Sequence, residues 1–333
     1  MRKLLLLVLV LAAVAVGAWF AWAQVQTRGL NAWLAERRAE GWVAEAAQIE
    51  TNGFPVRFDT RATALELADP ATGLALSLPN LIFTSQSLSP TAIRAVLPPA
   101  FRVATPLERI EVSSRRFDAL LSVDPGPSLG LRRADVALAA LALTSSAGWT
   151  ATLDGGEAVV QRAGDDPLTY QTTFLSQNLR PAQPVLDRLD PTGLLPPEIE
   201  TLRVRATATF DRPWDRRAIE DRRPQVTALD LSGLTAVWGP ARLEAAGTLD
   251  VDAQGRPTGR ITVRATNWRE MLQVARNAGV VPEPFVPTIE NVLTGLAGLS
   301  GRDDTIDAPL SFQNGFVSFG PIPLGPAPRL VIR

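Results

Sequence analysis

Asp165-Asp166 and Asp303-Asp304 are the nearest approach to paired carboxylates in this sequence. Two carboxyl groups in different surroundings can divide acid and base roles between them. Here each pair is adjacent in the chain and lies close to a glycine in an apparent loop. Sequence neighbours seldom converge on one substrate, so solvated turns are the preferred reading for both. Arg203, Arg205, Arg260 and Arg264 form a second set, on the polar faces of strands. They could bind an anionic head group, but cross-strand pairing with residues such as Glu244 and Asp250 is the commoner use of such positions. Asp154-Gly155-Gly156 and Gly298–Gly301 lack the strand-to-helix setting of a phosphate loop and read as turns. Gly-x-Ser-x-Gly is absent, which argues against a nucleophile elbow.

Composition removes most other chemistry. The 333 residues include no histidine and no cysteine, and Lys3 is the only lysine among 33 basic residues. The usual zinc sites, thiolate catalysis, a histidine base and disulfides are therefore unavailable. With Lys3 outside the folded body, a P-loop lysine and a lysine Schiff base go too. No enzyme activity and no cofactor are expected. A net charge of −1 argues against a nucleic-acid surface. A cysteine-free chain is compatible with an oxidising compartment.

What remains is apolar and alternating. Leu202, Val204, Ala206, Ala208 and Phe210 face one way along a strand. The stretch from Gln225 to Thr266 reads as a three-strand meander, with Leu243, Ala245, Gly247, Leu249 and Val251 on one face. Ile261, Val263 and Ala265 continue that face after the turn-rich 252–259 joint. A one-sided sheet needs a second sheet, helices or a ligand to cover it. Leu202, Val204, Phe210, Leu243, Leu249, Ile261 and Val263 are accordingly the candidate binding face for lipid or another hydrophobic ligand.

The elements that carry this face follow from the rest of the chain. Arg2 and Lys3 precede an unbroken apolar run, Leu4 to Ala23. Roughly 20 residues suffice to span a bilayer, and the leading charges favour a cytoplasmic start. Trp19 and Trp22 lie near the outer end of the run, where aromatic residues favour the interface. Residues 1–23 are thus a transmembrane anchor or, alternatively, a signal peptide cleaved at Ala23. Either way the body is expected in the periplasm, tied to the inner membrane if uncleaved. Leu30, Trp33, Leu34 and Arg37 extend helical spacing through a juxtamembrane helix at 24–42, with Gly41 as its stop.

Residues 43–333 form a β-rich body of about sixteen strands by pattern, with two halves meeting near the proline-rich connector at 178–197. Phase shifts near Ala64, between Leu138 and Leu141, and at Ser232-Gly233 predict bulges. Ser89-Pro90 predicts a capped helix to Leu97. Asp154-Gly155-Gly156 predicts a tight turn between strands 149–153 and 157–162. Asn267 and Glu270 predict a capping box for a helix with Trp268, Met271 and Leu272 in its stripe, and Ile289, Val292, Leu293 and Leu296 a second helix. The proline-rich end at 320–328 is excluded from a central strand. The expected fold is mainly β: an elongated curved antiparallel sheet or incompletely closed β-roll with a few short helices, after one N-terminal transmembrane helix.

Four features together resemble a known family. They are the N-terminal apolar run, Gly53-Phe54-Pro55, the Asp230-to-Trp268 meander, and the ending Phe316-Val-Ser-Phe-Gly-Pro-Ile-Pro-Leu-Gly325. The chain resembles the alphaproteobacterial domain-of-unknown-function family numbered 2125. The pattern Leu243-x-x-x-Gly247-Thr-Leu249-x-Val-Asp252-x-x-Gly255-x-x-x-Gly259 is also similar to meanders of AsmA-like envelope proteins. That wider resemblance implies a curved sheet with an apolar inner face on the periplasmic side, and phospholipid, lipopolysaccharide or other envelope proteins as partners. It implies no catalytic residues.

Overall fold

The computed structural model describes residues 2–279, 281, 283–300, 303–319 and 322–332, without the side chains of 2–13, 15, 219, 220, 296, 299, 300 and 322. The chain divides into two units, Met1–Ser122 with Leu143–Gly148, and Val123–Ala142 with Trp149–Arg333. The described residues are mainly β, with eighteen strands against the sixteen expected, and five α-helices.

The first unit opens with α1 (Arg2–Ala39), one continuous helix of 38 residues. Gly41 ends it as expected, at φ +91°. The Trp42 amide bonds back to the Arg37 carbonyl at 3.0 Å, and the Gly41 amide to Arg38 at 3.0 Å. This double return needs a left-handed residue, which glycine supplies without a Cβ penalty. Among the described residues no helix is long and apolar enough to cross a membrane. Much of the expected Leu4–Ala23 span consists of side chains outside the described residues.

Strands β1 (Val43–Glu45) and β2 (Gln48–Asn52) both pair with β3 (Arg57–Asp69), which pairs with β4 (Leu74–Gln86). Thr63 faces Asn80 and Leu65 faces Leu78, while Ala64 at φ +48° stands out of the ladder. The pairing keeps its register across Ala64, so the predicted phase change is a left-handed kink opposite Pro79 and not a bulge with an extra residue. Strand β4 then pairs at one end with β5 (Ser89–Val96) and at the other with β6 (Ala100–Ala104). Strand β6 pairs with β7 (Arg109–Ser113), and β5 with β8 (Arg116–Val123).

The expected helix at 89–97 is therefore a strand. Ile93 to Val96 pair with both β4 and β8, so neighbours on two sides satisfy their backbone groups and override the cap signal. Pro90 falls where the β4–β5 register skips from Gln86–Ser89 to Ser85–Ile93, a gap that asks no amide of it.

Helix α1 docks on this sheet through Trp19, Ala23, Gln26, Thr27 and Leu34, an approximately heptad-spaced face. Trp19 and Ala23 are buried with Phe58. The Trp19 ring stacks on Phe58 with centroids 5.1 Å apart, and its indole N–H donates to the Arg57 carbonyl at 3.2 Å. Beyond it runs a polar ladder. The Gln26 amide donates to Ser85 Oγ at 3.3 Å, and Thr60 Oγ1 donates to Gln26 Oε1 at 3.0 Å. The Thr27 and Thr51 hydroxyls meet at 2.9 Å, as do those of Thr51 and Thr60. Trp33, one heptad beyond Gln26, is 41% exposed and lies under the Arg37 guanidinium at 5.9 Å.

Strand β9 (Leu131–Ser145) carries a left-handed residue, Ala140 at φ +49°, between the two phases that the sequence showed. In the second unit an antiparallel meander runs through β10 (Thr150–Arg162), β11 (Thr169–Arg180), β12 (Ile199–Phe210), β13 (Val226–Trp238), β14 (Ala241–Val251) and β15 (Pro257–Thr266). It continues through β16 (Thr305–Gln313), β17 (Phe316–Phe319) and β18 (Ile322–Pro326). Each strand pairs with the next. The connectors hold α2 (Gln183–Leu189), α3 (Arg216–Glu220), α4 (Trp268–Asn277) and α5 (Val286–Ser300). The 178–197 connector lies inside this unit.

Two expectations change here. Asp154-Gly155-Gly156 is no turn: Gly155 faces Gln177 and Gly156 faces Ser176 inside the single strand β10. Space explains the second glycine, since a Cβ on Gly156 would stand 3.0 Å from Leu153 and 3.5 Å from Leu138. Helix α4 begins where expected, but Asn267 does not cap it. Asn267 is left-handed at φ +52°, and its amide donates to the Pro240 carbonyl. Strand β18 contains prolines and pairs with β17 alone in the described registers, the edge position that proline tolerates. Leu296 of the predicted α5 stripe lies outside the described side chains.

Candidate functional site

The registers place all seven nominated residues on one face of the second unit. Leu202 faces Ala236, Ala236 faces Leu243, Leu243 faces Ala265, and Ala265 faces Ile306. The next row runs Phe174, Val204, Leu234, Ala245, Val263 and Ala308. The row after it contains Ala206, Leu231, Gly247, Ile261 and Leu310. Leu249 faces Leu229 in a fourth row, and Phe210 closes the far end opposite Val226. The rows stay continuous because β13 skips a residue at Ser232-Gly233, restoring the phase as the sequence predicted.

Helices cover one part of this face. Trp268 of α4 and Ile289, Leu293 and Ala297 of α5 form a buried cluster with Ala265, Ile306, Ala308 and Phe319. Leu243, Met271 and Leu272 pack against it. Among the described residues the cluster takes nothing from β10 to β13. Leu249 and Ile261 are buried, while Leu202, Val204, Phe210, Leu243 and Val263 are half-buried. Ser176 stands in the first row between Gly156 and Leu202. It is only 2% exposed, and among the described residues its hydroxyl has no hydrogen-bond partner. Sequence reading passed over it, because a lone serine in a strand carries no signal.

The Phe210 end is closed by a polar knot. The Tyr170 hydroxyl donates to the Leu131 carbonyl at 3.1 Å, and Arg162 donates to the same oxygen at 2.7 Å and to Asp124 at 2.6 Å. Phe210 lies edge-on between Tyr170 and Trp214. Burial raises the pKa of Tyr170 above the ordinary phenol value, against the pull of the Arg162 charge. Its folded-state pKa is raised, so its stabilisation holds below the unfolded value of about 10 and fades as pH rises above it. Tyr170→Phe should cost about 1 kcal/mol at neutral pH for the lost hydrogen bond. It should also flatten the loss of stability above about pH 10. Denaturant titrations of both proteins across that range check this, and equal alkaline slopes would remove Tyr170 as the cause.

The carboxylate pairs do not converge. Asp166 accepts from the Leu168 amide at 3.0 Å, and a hydrogen bond from Thr169 is the main reason its pKa is lowered. Asp303 offers its backbone carbonyl to the Trp268 indole at 3.2 Å, while the Asp304 carboxylate bonds Thr305. On the polar face Arg264 pairs with Asp307 of β16 at 2.8 Å, whereas Glu244 pairs with Arg242. Both pairs are solvated and contribute little. Among the described residues no cluster of acidic side chains could hold a metal ion.

The first unit carries a separate apolar groove of about 650 Å³ against α1. Trp19, Trp22, Phe54, Phe58, Leu88 and Pro90 line it. Of the two tryptophans expected near a membrane interface, Trp19 is buried on Phe58 and Trp22 is exposed.

A family model described as "Uncharacterized protein conserved in bacteria (DUF2125)" matches residues 19–328. The chain belongs to DUF2125. The matched span covers nearly the whole chain, from the Trp19 contact through the seven-residue face to β18. No curated protein and no solved structure matches this DUF2125 chain.

Proposed function

We propose that this DUF2125 protein is held at the bacterial inner membrane by its N-terminal helix, with its body in the periplasm, and binds lipid on the β10–β13 part of the apolar face. The reading is non-catalytic. One observation carries it: a continuous one-sided apolar face from which the α4–α5 cluster, among the described residues, takes nothing between β10 and β13. Each buried methylene of an acyl chain is worth about 0.8 kcal/mol, so such a face binds usefully without specific polar contacts. The buried Ser176 hydroxyl supplies one unused donor for a lipid ester or head-group oxygen. The sequence likeness to AsmA-like envelope proteins supports the same assignment.

Full-length protein extracted from membranes in mild detergent should carry phospholipid or lipopolysaccharide fragments in native mass spectrometry. Val204→Glu, which sets a charge in the middle of the face, should reduce the retained lipid several-fold. Lipid-free wild-type protein, together with periplasmic crosslinks to a protein partner, would replace this reading with that of an envelope scaffold. A scaffold would have to use the sheet edges or outer helix surfaces, since the apolar stripes of α4 and α5 are taken up in the protein's own core.

A further inference from the structure

We propose that the loops carrying Phe54–Val56 and Leu88 are embedded in the membrane surface beside α1, so that the groove between them and the helix opens onto the acyl chains of the bilayer. This rests on the anchor reading above. It follows from depth along the helix. The apolar run ends at Ala23, and Trp19 lies four residues before that end, a rise of about 6 Å. Yet Trp19 is already stacked on Phe58 and bonded to the Arg57 carbonyl. The folded body therefore begins inside the run, and whatever adjoins Trp19 lies at the level where the run meets the head groups. Interfacial elements bury their apolar side by about 5–10 Å at that boundary.

The residues at this level suit that depth. Phe54 packs edge-on against Trp19 and stacks on Phe20, yet remains largely exposed. Val56 is 72% exposed and Leu88 97%. Trp22 and Phe20 are exposed on the same stretch of α1. The groove between them has no charged residue in its lining. Large contiguous apolar surface of this kind marks an interaction site. The length of the helix selects the partner. From Leu4 to Ala18, ahead of the first body contact, α1 rises only about 22 Å, against roughly 30 Å of hydrocarbon. The exposed aromatic and aliphatic rim makes up the missing apolar height. Arg57, at the edge of the rim, has a largely exposed side chain paired to Asp59 at 2.6 Å, and its stem is long enough to reach the head groups.

The native chain has no cysteine, so single labels report cleanly. Full-length Val56→Cys and Leu88→Cys proteins, each carrying an environment-sensitive fluorophore, would be reconstituted in phosphatidylcholine–phosphatidylglycerol vesicles. Leu107→Cys is the control, 94% exposed but at the far end of the β3–β4 hairpin, next to Pro106, which abuts Gly73. Val14→Cys reports on the helix itself. The expected result is several-fold brighter, blue-shifted emission at positions 56 and 88, quenched by nitroxide-bearing lipid, with Leu107→Cys unchanged. If positions 56 and 88 behave like 107 while position 14 is lipid-quenched, the anchor stands and the embedded rim is overturned. If position 14 is also aqueous, the anchor reading fails and the rim proposal falls with it.

Discussion

Trp268→Ala should be the most destabilising single truncation in the second unit, lowering unfolding free energy by about 3–5 kcal/mol. Trp268 is 1% exposed and opens α4 at the point where both α4 and α5 meet the sheet. Its removal takes away the largest apolar surface in the cluster and leaves a cavity that Ile289 and Leu293 cannot fill without pulling α5 off Ile306 and Ala308. It also strips the Asp303 carbonyl of its indole donor at 3.2 Å. The measurement is the urea midpoint of full-length protein in detergent. Trp33→Ala is the comparison, because Trp33 is 41% exposed; its loss should stay below about 1 kcal/mol. Equal midpoint shifts would mean that the α4–α5 cluster does not hold the unit together.

The second large effect is expected at Gly247. It faces Ile261 across β14 and β15, in the middle of the apolar face. Its φ is +153°, and a Cβ there would fall 2.1 Å from the Arg260 carbonyl oxygen and 2.8 Å from the Ile261 Cα. These are backbone atoms of the neighbouring strand, so no side chain can swing aside. Gly247→Ala should cost at least the 1–3 kcal/mol of backbone strain typical of such positions, roughly, plus the displacement of β15. Hydrogen exchange at the β14–β15 ladder should accelerate while that at β10–β11 stays near wild type. Gly148→Ala separates the two causes: φ is +90° but nothing lies within 4 Å of the added carbon. If the two variants lose the same stability, the close strand approach at Gly247 contributes nothing.

Alternation along the strands made most of this architecture legible. The face of Leu202, Val204, Leu243 and Val263 was readable because each strand keeps period two and the meander pairs nearest neighbours. The bulge at Ser232-Gly233 announced itself as a phase slip, since an extra residue reverses which side chains are apolar, and the phase changes near Ala64 and Ala140 coincide with left-handed residues. The failures share one cause, local signals overruled by pairing partners far away in sequence. Ser89-Pro90 is a fair helix start in isolation, yet β8 pairs with its continuation more than twenty residues later. Gly155-Gly156 has turn chemistry, yet its glycines make room for Leu138 and Leu153. The groove at Trp19 could not be read at all. It joins residues near positions 20, 55 and 88, and no periodicity links a helix to two loops.

The hydroxyl and amide ladder from α1 to the sheet has a mechanical consequence. Slipping α1 along its axis by one turn, about 5.4 Å, would bring Trp22 or Leu30 to the place of Gln26 and Ala23 or Asn31 to that of Thr27. Ser85, buried at 4% exposure, would then lose the Gln26 donor, and Thr60, equally buried, would keep only its bond to Thr51. Each orphaned hydroxyl costs about 1–3 kcal/mol. The ladder thus favours one axial position of the helix on β3 and β4.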